Sequence, residues 1–206
     1  LIHGAGSFGH IMALKNGLEK PGFTKGREDA VSKVMCDVLR LDSIVIDELN
    51  KKGVKAVAVP PHTIYHGSRP DYTIIETLLR NGFVPTLYGD IIISNGKYRI
   101  ISGDEIALDI ARRFKPDSVV FATDVDGLYD SDPKTNDNAK FIPSIEARDI
   151  SLVDIRKDAT GSMAGKIERI KKIVNYTTRV VILNGNKPKR LENFLQGKET
   201  ISTVIT

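Results

Sequence analysis

The chain has one cysteine, no tryptophan and no long apolar run, and each shortage excludes something. The lone cysteine, Cys36, rules out an intrachain disulfide and suits a reducing compartment such as the cytoplasm. It is expected to pack as a small apolar side chain. With no tryptophan, the sequence offers a poor stacking platform for single-stranded RNA. No apolar stretch is as long as a membrane span, and no signal peptide is recognisable, so a membrane is not an expected partner. The excess of positive charge is modest: the net charge is +4, and Lys and Arg are dispersed except in Lys166 to Lys172 and Lys187 to Arg190. Nucleic acid is therefore not an expected partner either. Familiar hydrolytic signatures are missing too. There is no HExxH, no paired cysteine set and no Ser-His-Asp order. His62 and His66 have helical i, i+4 spacing, but Pro60-Pro61 and Gly67 around them argue against a helical zinc pair.

What is present reads as an ordinary globular composition, and 206 residues suit one large domain or two small lobes. Val31, Val34, Met35, Val38, Val45 and Leu49 recur at helical spacing up to Gly53. Residues 55–59 read as a buried strand stopped by Pro60-Pro61, and 72–80 as a short helix. Residues 83–87 read as a strand in which Pro85 predicts an edge or irregular position. Ile91 to Ile93 and Tyr98 to Ile101 flank Asn95-Gly96, a hairpin signal. Ser102-Gly103-Asp104-Glu105 is a capping box opening a helix to about Phe114. Strands at 118–122, 179–183 and 201–205, with helices near 162–175 and from Pro188, complete the alternation. Such alternation predicts an α/β fold with a mainly parallel sheet, its ligand sites at the carboxyl ends of strands.

Four segments at those ends carry candidate chemistry. His3-Gly4-Ala5-Gly6-Ser7-Phe8-Gly9-His10 puts three glycines behind a strand and ahead of a helix. A turn of that kind lets backbone N–H groups and a helix N-terminus face an anion, although a tight turn without a ligand has the same composition. His10 would donate a hydrogen bond to a phosphate oxygen, or else serve as a cap or packing residue. Gly103 either brings N–H groups to the same anion or merely belongs to a helix start. Thr123-Asp124-Val125-Asp126-Gly127 lacks the terminal glutamate of a calcium loop. It reads as a polar loop near a nucleotide and its Mg²⁺, or as a solvated turn. Asp158-Ala159-Thr160-Gly161-Ser162 with Lys166 fails the Walker A spacing but can clamp ATP phosphates, unless Lys166 is simply part of a solvated helix face.

Taken in order, these segments resemble the amino acid kinase superfamily and, within it, the isopentenyl phosphate kinases of archaea. The matching pieces are His3-Gly-Ala-Gly-Ser-Phe-Gly-His10, Tyr88-Gly-Asp90, Ile101-Ser-Gly-Asp104, Ala122-Thr-Asp-Val-Asp-Gly127, Asp158-Ala-Thr-Gly161 with Lys166, and Asn184-Gly-Asn186. The resemblance implies an open αβα sandwich with a mainly parallel central sheet, usually a homodimer. It also implies phosphorylation of isopentenyl phosphate by ATP, with Mg²⁺ held mainly through the phosphates. Residues 1–206 would form a single domain, with about 1–115 binding the acceptor phosphate and about 116–206 the nucleotide. By the same resemblance, Gly4, Ala5, His10 and Gly103 bind the substrate, and Gly6, Asp124, Ser162 and Lys166 bind the nucleotide. His10 and Lys166 would be the catalytic residues, and no side chain is assigned as a metal ligand.

Three departures from the family pattern matter. Ala5 replaces a common glycine, which requires a negative φ there. Ser162 also stands where glycine is common. The family's N-terminal strand and its lysines have no counterpart, so the parent protein is expected to carry roughly 40–50 further residues, enough for a strand–helix unit. Sister readings remain: a kinase of the same fold acting on UMP, N-acetylglutamate or fosfomycin, or a non-catalytic nucleotide-binding domain.

Overall fold

The computed structural model describes residues 1–18, 26–67, 69–94, 97–150 and 162–206. They form two compact units, Leu1–Ile106 and Ala107–Thr206. In the first, strand β1 (Ile2–His3) leads into helix α1 (Gly6–Lys15), followed by the long helix α2 (Glu28–Lys51). The buried residues of α2 are Val31, Val34, Val38 and Asp42, spaced three and four apart as one helical stripe requires. Glu28 and Asp29 in its first turn and Lys51 in its last complement the helix dipole. The stripe packs with Ala13, Leu18, Tyr88, Ile91 and Tyr98. Cys36, expected to be buried, is exposed. It lies two residues from both Val34 and Val38, about 200° around the helix from each, on the opposite face.

Strand β2 (Ala56–Ala58), helix α3 (Thr73–Arg80) and strand β3 (Val84–Tyr88) follow. The sheet order is β1-β3-β2, all parallel, with Ile2 opposite Leu87 and Val57 opposite Pro85. Pro85 therefore stands in the central strand, not at an edge. The N–H groups of Leu87 and Gly89 point to β1, donating to the carbonyls of Leu1 and His3. By strand alternation position 85 turns to the same side as Leu87 and Gly89. Strands β4 (Asp90–Ser94) and β5 (Lys97–Ile101) form the expected antiparallel hairpin, whose Asn95-Gly96 turn falls outside the described residues. Helix α4 (Gly103–Phe114) is capped as predicted, the Glu105 N–H donating to Ser102 Oγ at 3.1 Å. The Glu105 carboxylate does not complete the box; it binds Arg99 at 2.7 Å.

The second unit takes up most of α4 and adds strands β6 (Ser118–Thr123), β7 (Leu128–Tyr129), β8 (Phe141–Ile142) and β9 (Ser144–Ile145). Helix α5 (Ser162–Ile173), strand β10 (Arg179–Asn184), helix α6 (Pro188–Leu195) and strand β11 (Thr203–Ile205) complete it. Its sheet runs β6-β10-β11-β9. The pairs β6/β10 and β11/β9 are parallel, and β10/β11 is antiparallel. Val180 to Leu183 of β10 have no exposed surface, as expected of a strand covered on both faces.

Candidate active site

The glycine turn joins β1 to α1. Ala5 takes φ −70° and ψ −20°, so its methyl group is accommodated, while Gly6 takes the left-handed φ of +51°. Gly4 and Gly6 are exposed. Gly9 serves packing: a Cβ there would lie 2.7 Å from the Ala5 Cβ and 3.2 Å from Val38 Cγ2, so its hydrogen lets α1 settle onto α2. His10, the fifth residue of α1, is exposed.

Gly103 opens α4 directly beneath this turn. A Cβ at Gly103 would stand 3.2 Å from the His3 carbonyl oxygen, and one at Gly89 would stand 3.1 Å from the Gly103 nitrogen. The structure thus brings Gly103 against His3, at the head of the glycine turn, and against Gly89, main chain to main chain, while Gly4, Gly6 and His10 are exposed. Exposed N–H groups of the turn and the positive end of α4 make such a surface receptive to an anion.

Behind the turn, His3, Tyr88 and Asp90 of the matching segments meet Asp42, which sequence reasoning did not single out. His3 Nδ1 sits 3.0 Å from the Gly4 carbonyl oxygen and Nε2 sits 3.2 Å from Asp42 Oδ1. The imidazole stacks on the Tyr88 ring at 5.5 Å. Burial acts against the imidazolium, but the bonds to Asp42 and Gly4 prevail and raise the His3 pKa above its ordinary value. Asp90 is buried as well, and burial pushes its carboxyl up to about 6 although the Ile91 N–H opposes this. Burial, then the charges of Asp90 and Asp42, push the Tyr88 hydroxyl up. Asp42 left one trace in the sequence: a carboxylate at a position where the apolar stripe of α2 continues.

In the second unit, β6 ends in the loop carrying Asp124 and Asp126. Asp124 is exposed and paired with Lys134. Asp126 is a structural carboxylate. Arg190 Nη1 lies 2.6 Å from its Oδ1, Arg190 Nη2 donates to Oδ2 at 2.9 Å, and Asn184 Nδ2 donates to Oδ1 at 2.8 Å. Its pKa falls to about 2, chiefly through the Arg190 hydrogen bond and, more weakly, the Asn184 hydrogen bond and the charges of Arg190 and Lys187. The basic run Lys187 to Arg190 therefore ties the ends of β6 and β10 together. Lys166 Nζ lies 4.9 Å from the centre of the Phe121 ring, a cation–π contact between α5 and β6. Ser162 is the first residue of α5, and Asp158 to Gly161 lie outside the described residues.

The amino acid kinase family model matches residues 1–184. The isopentenyl phosphate kinase of Thermoplasma acidophilum is 39% identical over 209 residues, covering 100% of this chain and 83% of its own. That of Methanothermobacter thermautotrophicus is 31% identical with the same coverage of both chains. The crystal structure of an isopentenyl phosphate kinase substrate complex superposes with a TM-score of 0.85 at 36% identity, over 100% of this chain and 82% of that one. The glycine turn, the mixed α/β sheets and these full-chain likenesses agree: the chain belongs to the amino acid kinase family, in its isopentenyl phosphate kinase branch.

Proposed function

We propose that this chain transfers the γ-phosphoryl group of ATP to isopentenyl phosphate, yielding isopentenyl diphosphate for isoprenoid synthesis. The observation that carries the reading is the close approach of Gly103 and Gly89 to each other and of Gly103 to the His3 carbonyl at the head of the glycine turn, with Gly4, Gly6 and His10 exposed. In transfer, an oxygen of the acceptor phosphate bonds to the γ-phosphorus while the bond to the β,γ-bridging oxygen breaks and ADP departs. The acceptor is already an anion, so orientation and relief of phosphate–phosphate repulsion outweigh base catalysis. Gly4, Ala5 and Gly103 present N–H groups to the acceptor, and His10 donates to its oxygens. Gly6 lies between the two phosphates, Lys166 offsets charge on the transferring group, and Asp124 and the Ser162 N–H hold the nucleotide.

Among the described residues no three His, Cys, Asp or Glu side chains gather to hold a metal. Mg²⁺ would be held mainly through ATP's own phosphates. Residues 1–115 serve the acceptor and 116–206 the nucleotide. The exposed Phe8, Ile11 and Leu14 of α1 support a homodimer. No described helix is long and apolar enough to cross a membrane, and the free Cys36 thiol supports a cytoplasmic setting.

The test is a coupled ADP-release assay on the full-length protein with isopentenyl phosphate, UMP, N-acetylglutamate and fosfomycin. Turnover is expected with isopentenyl phosphate alone. His10→Ala removes a charge-assisted hydrogen bond of about 1.5–3 kcal/mol, so kcat/KM falls roughly ten- to hundredfold. Turnover with another acceptor, or an undiminished mutant, refutes the substrate or the role of His10.

A further inference from the structure

We infer that His3 is held as an imidazolium by Asp42, and that this buried pair is the positioning device that aims the glycine turn at the bound phosphate. The inference rests on the acceptor reading above. Its starting point is donor accounting. The two partners of the His3 ring are a carbonyl oxygen at 3.0 Å from Nδ1 and a carboxylate oxygen at 3.2 Å from Nε2. Both only accept, so both ring nitrogens must carry protons. A neutral ring would turn a lone pair toward one of them.

The carboxylate side agrees. Asp42 has no exposed surface, and its Oδ2 has no hydrogen-bond partner. A carboxylate in that position needs a counter-charge, and the ring 39 residues away supplies it. The other titratable groups around the ring are Tyr88, stacked on it from β3, and Asp90 of β4, which acts on Tyr88. Asp42 favours the imidazolium.

The geometric consequence lies in the next peptide. All peptides are trans, so the Gly4 C=O and the Ala5 N–H point in opposite directions. Nδ1–H bound to the Gly4 oxygen fixes that plane and turns the Ala5 N–H away from His3, onto the open face of the turn. The pair is neutral overall, so the Asp42 charge does not repel an incoming phosphate. His3 is thus a positioning residue. As pH rises through its elevated pKa the proton leaves, the plane is released, Asp42 regains an uncompensated charge, and acceptor binding weakens.

The experiment is NMR of the full-length protein labelled with ¹⁵N in the histidine rings and backbone, with His3 assigned through His3→Gln. Kinetics of Asp42→Asn and His3→Gln accompany it. At pH 7 both His3 nitrogens should be protonated, and they should lose the proton at higher pH than in Asp42→Asn. Loss of one charge-assisted bond should raise KM for isopentenyl phosphate about tenfold in either variant, with kcat within about twofold. The alkaline limb of kcat/KM should move to lower pH in Asp42→Asn and vanish in His3→Gln. A neutral His3 ring at pH 7, or variants that lose thermal stability but keep the KM and the pH profile, overturn the inference. If isopentenyl phosphate is not turned over at all, the acceptor reading falls. Inorganic phosphate then decides the pair: its shift of the Ala5 amide must weaken as His3 deprotonates, and an unlinked shift or none refutes it.

Discussion

Replacing Asp126 by Asn removes a charge that two strand ends share. Its carboxyl stands at about 2 instead of 3.8, and at about 1.36 kcal/mol per unit the difference sets a ceiling near 2.5 kcal/mol. A quarter of the side chain is exposed (25%), so water screens part of this and about 1–2 kcal/mol is expected. Arg190, only 12% exposed, would keep its guanidinium without the anion, which adds to the loss. The Asn184 bond survives in part, because an amide oxygen still accepts. For a chain of this length the loss lowers Tm by about 3–6 °C. The pKa is depressed, so the contribution is complete above the ordinary carboxylate value of 3.8 and disappears as pH falls toward 2. Urea unfolding of the parent and Asp126→Asn, from pH 7 down to about pH 2, measures it. The two curves should converge in acid, and an Arg190→Met background should abolish most of the difference. A gap that stays constant with pH would show that the carboxylate's charge is not what joins β6 to β10.

Asp90 gives the opposite sign. Its pKa is raised from 3.8 to about 6, so the parent loses stability as pH rises through that range. Asp90→Asn should therefore match the parent near pH 4 and exceed it by about 1–3 kcal/mol at pH 8. Equal melting curves at pH 8 would refute this. Gly127→Ala should be severe: its Cβ would overlap Thr203 Oγ1 and stand 2.9 Å from Phe141 Cε2. Thr203 Oγ1 already accepts from the Leu128 N–H at 2.8 Å and donates to the Ile142 carbonyl at 2.5 Å, so it has little room to move. A loss of about 3 kcal/mol in urea unfolding is expected, and less than about 0.5 would contradict the packing.

Much of the architecture was legible because local chemistry specified it. The stripe along 31–49, the Ser102 cap and the residues opposite one another in the 90–101 hairpin each depend on neighbours close in sequence. The same holds for Ala5, whose substitution for glycine required the negative φ it has. What escaped the sequence depends on distant partners. Pro85 stands in a central strand because β1 and β2, both distant in sequence, pair on either side of β3. Cys36 looked like core but faces outward, because the stripe of α2 is narrower than its apolar content suggests. Asp42 and Arg190 were not singled out because their counter-charges come from His3 and Asp126, 39 and 64 residues away. Charge partners have no periodicity to announce them.

The contact of Gly89 with Gly103, and of Gly103 with the His3 carbonyl, has a consequence for how such an enzyme can change its substrate. Where main chain rests on main chain, no side chain is available to be exchanged, and any added carbon wedges the segments apart. On the proposed reading the phosphate seat is in that sense fixed by the fold. A change of acceptor would then come from the residues that surround the seat, while the seat keeps its preference for a phosphate whatever that phosphate carries.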